Sequence, residues 1–154
     1  MEFIKLSNLS SIHKEEILKL WNNEYPSKLN YQSLTDFEVY LKNLKQKSHI
    51  LMVDERKNIR GWYFDFIRDQ EKWFAIILDS KLQNKGFGTI IINLAKKKEK
   101  ELNGWVIDHE DDKKNNGETY KSPLAFYLKN GFVKLEDTRL ELENISAVKI
   151  KWKL

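Results

Sequence analysis

Leu78-Asp79-Ser80-Lys81-Leu82-Gln83-Asn84-Lys85-Gly86-Phe87-Gly88-Thr89 is the stretch whose reading decides the fold. An apolar, strand-like run, Trp73-Phe74-Ala75-Ile76-Ile77-Leu78, leads into it, and a lysine-rich helical pattern leads away to about Leu102. A strand that passes through a glycine turn into a helix gathers backbone N–H groups at a helix N-terminus. Those donors lack intrahelical partners and sit at the positive end of the macrodipole, so the turn suits an anionic phosphate. Gly86 and Gly88 are expected to let a ligand approach the main chain, having no Cβ in the way. The turn is not a Walker loop, because no Gly-x-x-x-x-Gly-Lys-Ser/Thr is present. It also lacks the first glycine of the dinucleotide fingerprint. What remains is Gln-x-x-Gly-x-Gly.

The composition narrows the classes. A chain of 154 residues reads as one domain, 1–154, with one core. Hydrophobic residues at 41% and charged residues at 32% are ordinary for a soluble globular protein. No apolar run approaches the ~20 residues of a membrane span, and the N-terminus carries no signal-peptide pattern. The absence of cysteine excludes disulfides, thiolate metal sites and a cysteine nucleophile, and fits a cytoplasmic protein. The net charge of +4 comes from scattered or helix-borne lysines such as Lys96-Lys97-Lys98. There is no basic stripe with base-stacking residues, so neither a nucleic acid nor a membrane is expected as partner.

Read in order, Glu2 to Leu6 alternates as a first strand. Ser10 or Ser11 caps a helix to about Asn23, with Glu15 and Glu16 near its positive end, and Tyr25-Pro26 stops it. Ser33-Leu34-Thr35-Asp36 opens a second helix with Phe37, Tyr40 or Leu41, and Leu44 inward. Three strands follow at 49–54, 60–67 and 72–78, joined by short polar turns as an antiparallel meander. The third helix is expected from Gly86 to Leu102, ending at Asn103-Gly104, and a parallel strand from Trp105 to His109. The charged loop Glu110 to Thr119 is expected to be solvent-exposed and mobile. Ser122 reads as a cap with Pro123 at the first helical position of a short helix ending at Asn130-Gly131. Strands at about 132–141 and 147–152 complete the chain.

The order βααβββαβαββ, with Gln83-Asn84-Lys85-Gly86-Phe87-Gly88 at the third helix and Tyr127-Leu128-Lys129-Asn130-Gly131-Phe132 at the end of the fourth, resembles the GNAT acetyltransferases over nearly the whole chain. The resemblance implies an α/β (α+β) fold: a mixed, mostly antiparallel sheet of about seven strands with four helices. It implies an acetyl-CoA-dependent N-acetyltransferase acting on a primary amine, more naturally of a small molecule than of a protein, as a monomer or homodimer. By the same resemblance Gln83, Asn84, Lys85, Gly86, Phe87, Gly88 and Thr89 hold the coenzyme A pyrophosphate. Ile76 and Leu78 meet the pantetheine arm and acetyl carbonyl through their backbone, and Tyr127 protonates the departing thiolate.

Two positions depart from the family pattern. The asparagine often found seven residues before the tyrosine is Tyr120, leaving Ser122 as the nearest polar cofactor contact. The carboxylate that some members use as base falls near Lys72, beside Glu71. His109 and Asp108 are the candidate bases, only one of which can face a cleft from a regular strand. Water carrying the proton out is an equal alternative. The cluster Asp108-His109-Glu110-Asp111-Asp112 lacks calcium-loop and zinc-helix spacing, so no metal is expected. It reads as a solvated loop or as an attractor for a cationic amine. Without an assigned base, a non-catalytic acyl-CoA-binding module on the same fold is the alternative function.

Overall fold

Three strands supply the centre of the molecule: β2 (Lys45–Val53), β3 (Ile59–Arg68) and β4 (Glu71–Leu78), consecutive and antiparallel. The computed structural model describes residues 1–154. From Gly61 to Phe66 β3 is buried without interruption, because both faces of the sheet are covered. Cross-strand partners share a face. Leu51, Trp62 and Ile77 therefore point one way with Phe64, Phe66 and Trp73, against α1 (Ser11–Glu24) and α2 (Leu34–Lys42). Ile50, Tyr63 and Ile76 point the other way with Phe74, against α3 (Phe87–Lys98) and α4 (Leu124–Lys129).

The full sheet has seven strands in the order β1-β2-β3-β4-β5-β7-β6, adding β1 (Glu2–Leu6), β5 (Glu101–Val106), β6 (Val133–Leu142) and β7 (Ile145–Lys153). Only β4 and β5 run parallel. Fold class, strand count and helix count agree with the sequence reading.

The helix starts follow local chemistry. Ser10 Oγ accepts from His13 N at 3.1 Å, and the His13 ring accepts from Ser10 N at 3.2 Å, closing a capping box. Glu15 and Glu16 lie beyond that first turn, so the expected acidic stabilisation of the helix start is absent. Ser33 Oγ accepts from Asp36 N at 3.1 Å at the start of α2.

Three expectations need correction. α3 ends at Lys98, and β5 begins at Glu101, ahead of the expected strand. Leu102 has a spacing that also suits a helix, but Glu101 to Val106 pair continuously with β7, and a ladder that buries Leu102 completely outweighs another helical turn. Asn103-Gly104 is thus mid-strand: a Cβ on Gly104 would lie 3.1 Å from the Phe74 ring, so the glycine admits that ring. α4 begins at Leu124 with Pro123 as its cap residue, one position later than expected, while Ser122 Oγ accepts from Leu124 N at 3.3 Å.

The third correction concerns residues 110–119, which are mostly exposed as expected but are tied to the rest of the chain. Lys113 bridges Thr119, Ser27 N donates to Lys113 O at 2.8 Å, and Lys114 pairs with Glu24 at 3.2 Å with both side chains about nine-tenths buried. Asp112 is buried as well. The anchors come from α1 and the segment after it, so local composition does not reveal them.

Candidate active site

β4 and β5 meet at one point. Trp73 faces Asn103 in their single register pair, and Asn103 Nδ2 donates to Lys72 O at 3.0 Å. Past that pair the ladder ends, although β4 continues to Leu78 and β5 to Val106. The main chain of β4 then has one edge on β3 and the other on a gap. Asp79 N donates to Arg60 O of β3 at 2.8 Å, which fixes the alternation. Ile77 and Ala75 turn their amides toward β3, whereas Ile76 and Leu78 turn theirs toward the gap. Leu78 O on that side accepts from Gln83 Nε2 at 3.3 Å.

The glycine turn is held from behind. Arg60 bonds Asp79 at 3.0 Å and Asp54 at 3.2 Å, and Asp79 Oδ1 accepts from Lys81 N at 2.9 Å to open a 3₁₀ turn over Ser80–Leu82. Ser80 N donates to Glu24 Oε2 of α1 at 3.0 Å. Asn84 at φ 62° and Gly86 at φ 88° then swing the chain into α3, whose first internal bond is Ile90 N to Gly86 O at 3.2 Å. The amides of residues 84–89 make no hydrogen bond within the chain. A run of free donors at a helix start, beside an open strand edge, fits a diphosphate. The two glycines differ in kind. Nothing lies within 4 Å of a Cβ built on Gly86, so that turn is open to a ligand. On Gly88 a Cβ would sit 2.8 Å from Phe126, so its glycine accommodates α4, contrary to the expectation that both admit a ligand.

Between the diverging strands lies a cleft of about 270 Å³, walled by Phe74, Ala75 and Ile76 of β4 on one side and Gly104, Trp105 and Val106 of β5 on the other. α1, α2 and their connection add Trp21, Tyr25, Tyr31 and Tyr40, β3 adds Phe66 and Arg68, and Tyr120 and Tyr127 close another side. Tyr127 is 7% exposed and packs edge-on to Phe74 and Phe132 with ring centroids 5.7 and 5.4 Å apart. Burial first, and the neighbouring Tyr120 phenol second, hold its hydroxyl well above the usual phenol range, and no hydrogen bond engages it. Tyr120 is raised by burial and then by Asp112, and Tyr25 by burial and then by Tyr120 and Tyr127. All three phenols are neutral donors at pH 7.

Of the expected site residues, the structure brings Ile76 and Tyr127 to the cleft wall and aligns Gln83 to Thr89 at its helix start. Leu78 contributes its backbone edge. Ser122 is engaged in the start of α4 and its N–H donates to Glu110 at 3.2 Å. His109 and Asp108 lie past the end of β5 and outside the cleft wall. His109 Nδ1 accepts from Asp111 N at 3.1 Å. Asp108 is clasped by Arg139 at 2.9 and 3.0 Å, which holds its carboxyl below the usual range. No group of three or more His, Asp or Glu side chains gathers to hold a metal, and no helix is long and apolar enough to cross a membrane. Sequence reasoning missed Tyr120, Tyr40, Arg68 and Trp105 as cleft residues. Tyr120 alone carried a signal, as the departure from the family pattern at that position.

No protein-family model matches the sequence, and no curated protein does. Solved structures match across the chain. An aminoglycoside 6'-N-acetyltransferase complexed with coenzyme A superposes with TM-score 0.74 at 12% identity, covering 99% of this chain and 97% of its own. A GNAT-superfamily phosphinothricin acetyltransferase from Sinorhizobium meliloti in complex with AcCoA gives 0.69 at 10% identity, with 100% and 89% covered. A variant spermidine N-acetyltransferase from Vibrio cholerae gives 0.65 at 21% identity, with 99% and 95% covered. With its strand order, single parallel pair and open β4–β5 seam, the chain has the GNAT N-acetyltransferase fold.

Proposed function

We propose that the protein transfers the acetyl group of acetyl-CoA directly to a primary amine of a small molecule. The observation that carries this reading is the run of unpartnered amides at residues 84–89, placed beside a strand edge that faces a cleft. Two of the similar structures are complexes with coenzyme A and AcCoA respectively, which supports the same ligand.

In this reading the turn from Gln83 to Thr89 holds the diphosphate through its free amides at 84–89, Lys85 adds positive charge and Thr89 a hydroxyl. Leu78 and Ile76 offer their outward backbone edge to the pantetheine arm. The acetyl thioester is the activated acyl group that acetyl-CoA supplies. Ile76 N–H donates to the acetyl oxygen as it gains negative charge, in an apolar wall where a fixed donor is worth more than in water. Tyr127 keeps its proton at neutral pH and delivers it to the departing sulfur. No carboxylate or imidazole lines the cleft, so the amine enters neutral and its proton leaves through water, past the Tyr120 and Tyr25 phenols. This leaves His109 without a part in the reaction. We place the protein in the cytoplasm, where acetyl-CoA is at hand.

Thiol release from acetyl-CoA across a panel of primary amines tests the reading. Turnover of at least one amine, rising with pH toward that amine's pKa, is the expected result. Acetyl-CoA binding without thiol release from any amine overturns transfer and leaves the acyl-CoA-binding alternative.

A further inference from the structure

The acceptor end of the cleft has a charge of its own. Arg68 is the only ionised side chain among the lining residues, and no carboxylate lines the cleft at all. Its guanidinium lies 4.9 Å from the centroid of the Phe66 ring and makes no ion pair or hydrogen bond within the chain. Phe66 and Trp73 are register partners on β3 and β4, so they share a face with Arg68 and its own partner Glu71, whose carboxylate is taken up by Lys149 and Lys151. Trp73 is 6% exposed, and its indole N–H is buried without an acceptor. A buried donor with no partner is costly and uncommon. Here it stands on the cleft wall, on the face that carries Arg68, with Lys149 Nζ 5.1 Å from the centroid of its ring. Arg68 is also close enough to Tyr40 to pull that phenol's pKa down against the burial that raises it.

Unpaired donors of this kind are matched by an anion. Arginine offers a planar fork that fits a carboxylate with two parallel bonds, and the tryptophan and tyrosine donors can complete its shell. Ile76, where the acetyl group is placed, is three residues beyond Trp73 on the same strand, roughly 10 Å at the rise of an extended chain. The wall between is aromatic and aliphatic.

On the basis of the acetyl-transfer reading, we infer that the acceptor is an amino acid-like molecule: a primary amine and a carboxylate at opposite ends of an apolar or aromatic spacer, with the carboxylate on Arg68. A polycationic amine does not suit this wall, since nothing on it neutralises a second positive charge. The acidic residues at 110–112, one of the expected attractors for a cation, do not line the cleft.

The test uses 4-(aminomethyl)benzoate, its methyl ester and spermidine as acceptors, with wild-type protein, Arg68→Gln and Arg68→Lys. Arg68 is exposed and makes no internal bond, so these variants fold. The wild type should favour the carboxylate over the ester by about tenfold or more in kcat/KM, mainly through KM. Arg68→Gln should bring that ratio near one, and Arg68→Lys should keep part of it. Equal use of ester and carboxylate by the wild type, a preference for spermidine, or a ratio unchanged in Arg68→Gln overturns the inference. A second arm needs no turnover: with coenzyme A present, 4-(aminomethyl)benzoate should raise the melting temperature of the wild type more than that of Arg68→Gln. Equal shifts, or none, overturn the assignment of Arg68. Absence of thiol release for all three amines and the rest of the panel counts against acetyl transfer alone.

Discussion

β5 has two edges, and they are treated in opposite ways. Along β7 it is paired from Glu101 to Val106 without a break, while along β4 it is paired at Asn103 alone. The paired edge is reinforced by ions at the same end of the sheet: Glu101 meets Lys151 at 3.0 Å, and Glu71 of β4 reaches across to Lys149 and Lys151 of β7 at 2.9 and 3.1 Å. Along the open edge the ties gather at the Trp73–Asn103 end, in the Asn103 clamp and the Glu71 ion pairs, and no ion pair spans the seam beyond it. One edge holds the sheet together, and the other leaves backbone donors and a cleft for a ligand. The candidate site arises where pairing stops, which ties a local feature of β4 directly to the proposed chemistry.

The sharpest way to break this division is to damage each edge and compare the readouts. Leu102 is wholly buried on the closed edge, so Leu102→Ala should cost about 2–5 kcal/mol of stability in denaturant unfolding. Its kcat, measured well below the melting temperature, should change little. Tyr127→Phe belongs to the open edge and should do the reverse. Its turnover should fall by about 100-fold with the acetyl-CoA melting shift nearly intact, and unchanged turnover removes Tyr127 as the acid.

The two glycines sharpen the comparison on a smaller scale. Gly88→Ala presses on Phe126 and should cost about 1–3 kcal/mol of stability, recovered in part by shrinking Phe126 to Leu. Gly86→Ala should cost about 1 kcal/mol because its φ is left-handed. It should reduce acetyl-CoA affinity more than Gly88→Ala does. Equal affinity losses in the two variants count against an open turn at Gly86.

The smallest effect expected is in acid. Lys149 first, and Lys151 with it, hold the Glu71 carboxyl below its ordinary range. A depressed carboxylate pKa gives stability that is present above the unfolded value and lost as pH falls through the folded one. The melting temperature of Glu71→Gln should therefore drop less steeply than that of the wild type below about pH 4.5. Parallel acid profiles mean that the cross-sheet ion pairs contribute nothing measurable.

Much of this was legible in the sequence where the deciding forces are local. Alternation and short polar turns fixed the meander, and Ser10 and Ser33 marked two helix starts. Gln83 to Gly88 marked the third. The start of β5 was not legible, because Leu102 suits a helical stripe and a strand equally, and only pairing with Trp152 separates them. The cleft was half legible. Ile76 and Tyr127 were reached only through the family resemblance, by their places relative to the glycine turn and to Gly131-Phe132. Tyr40, Arg68 and Trp105 come from three separate elements, and each looks like an ordinary core or surface residue until the sheet brings them together. Gly88 shows a further limit: a glycine needed for contact with Phe126 is indistinguishable in sequence from one needed for a ligand.

Amide chemical shifts in a coenzyme A titration of ¹⁵N-labelled protein test the central claim most directly. The amides of residues 84–89, with Ile76 and Leu78 beside the gap, should show the largest changes. Unchanged spectra at saturating coenzyme A, or changes centred on another part of the surface, would contradict the account.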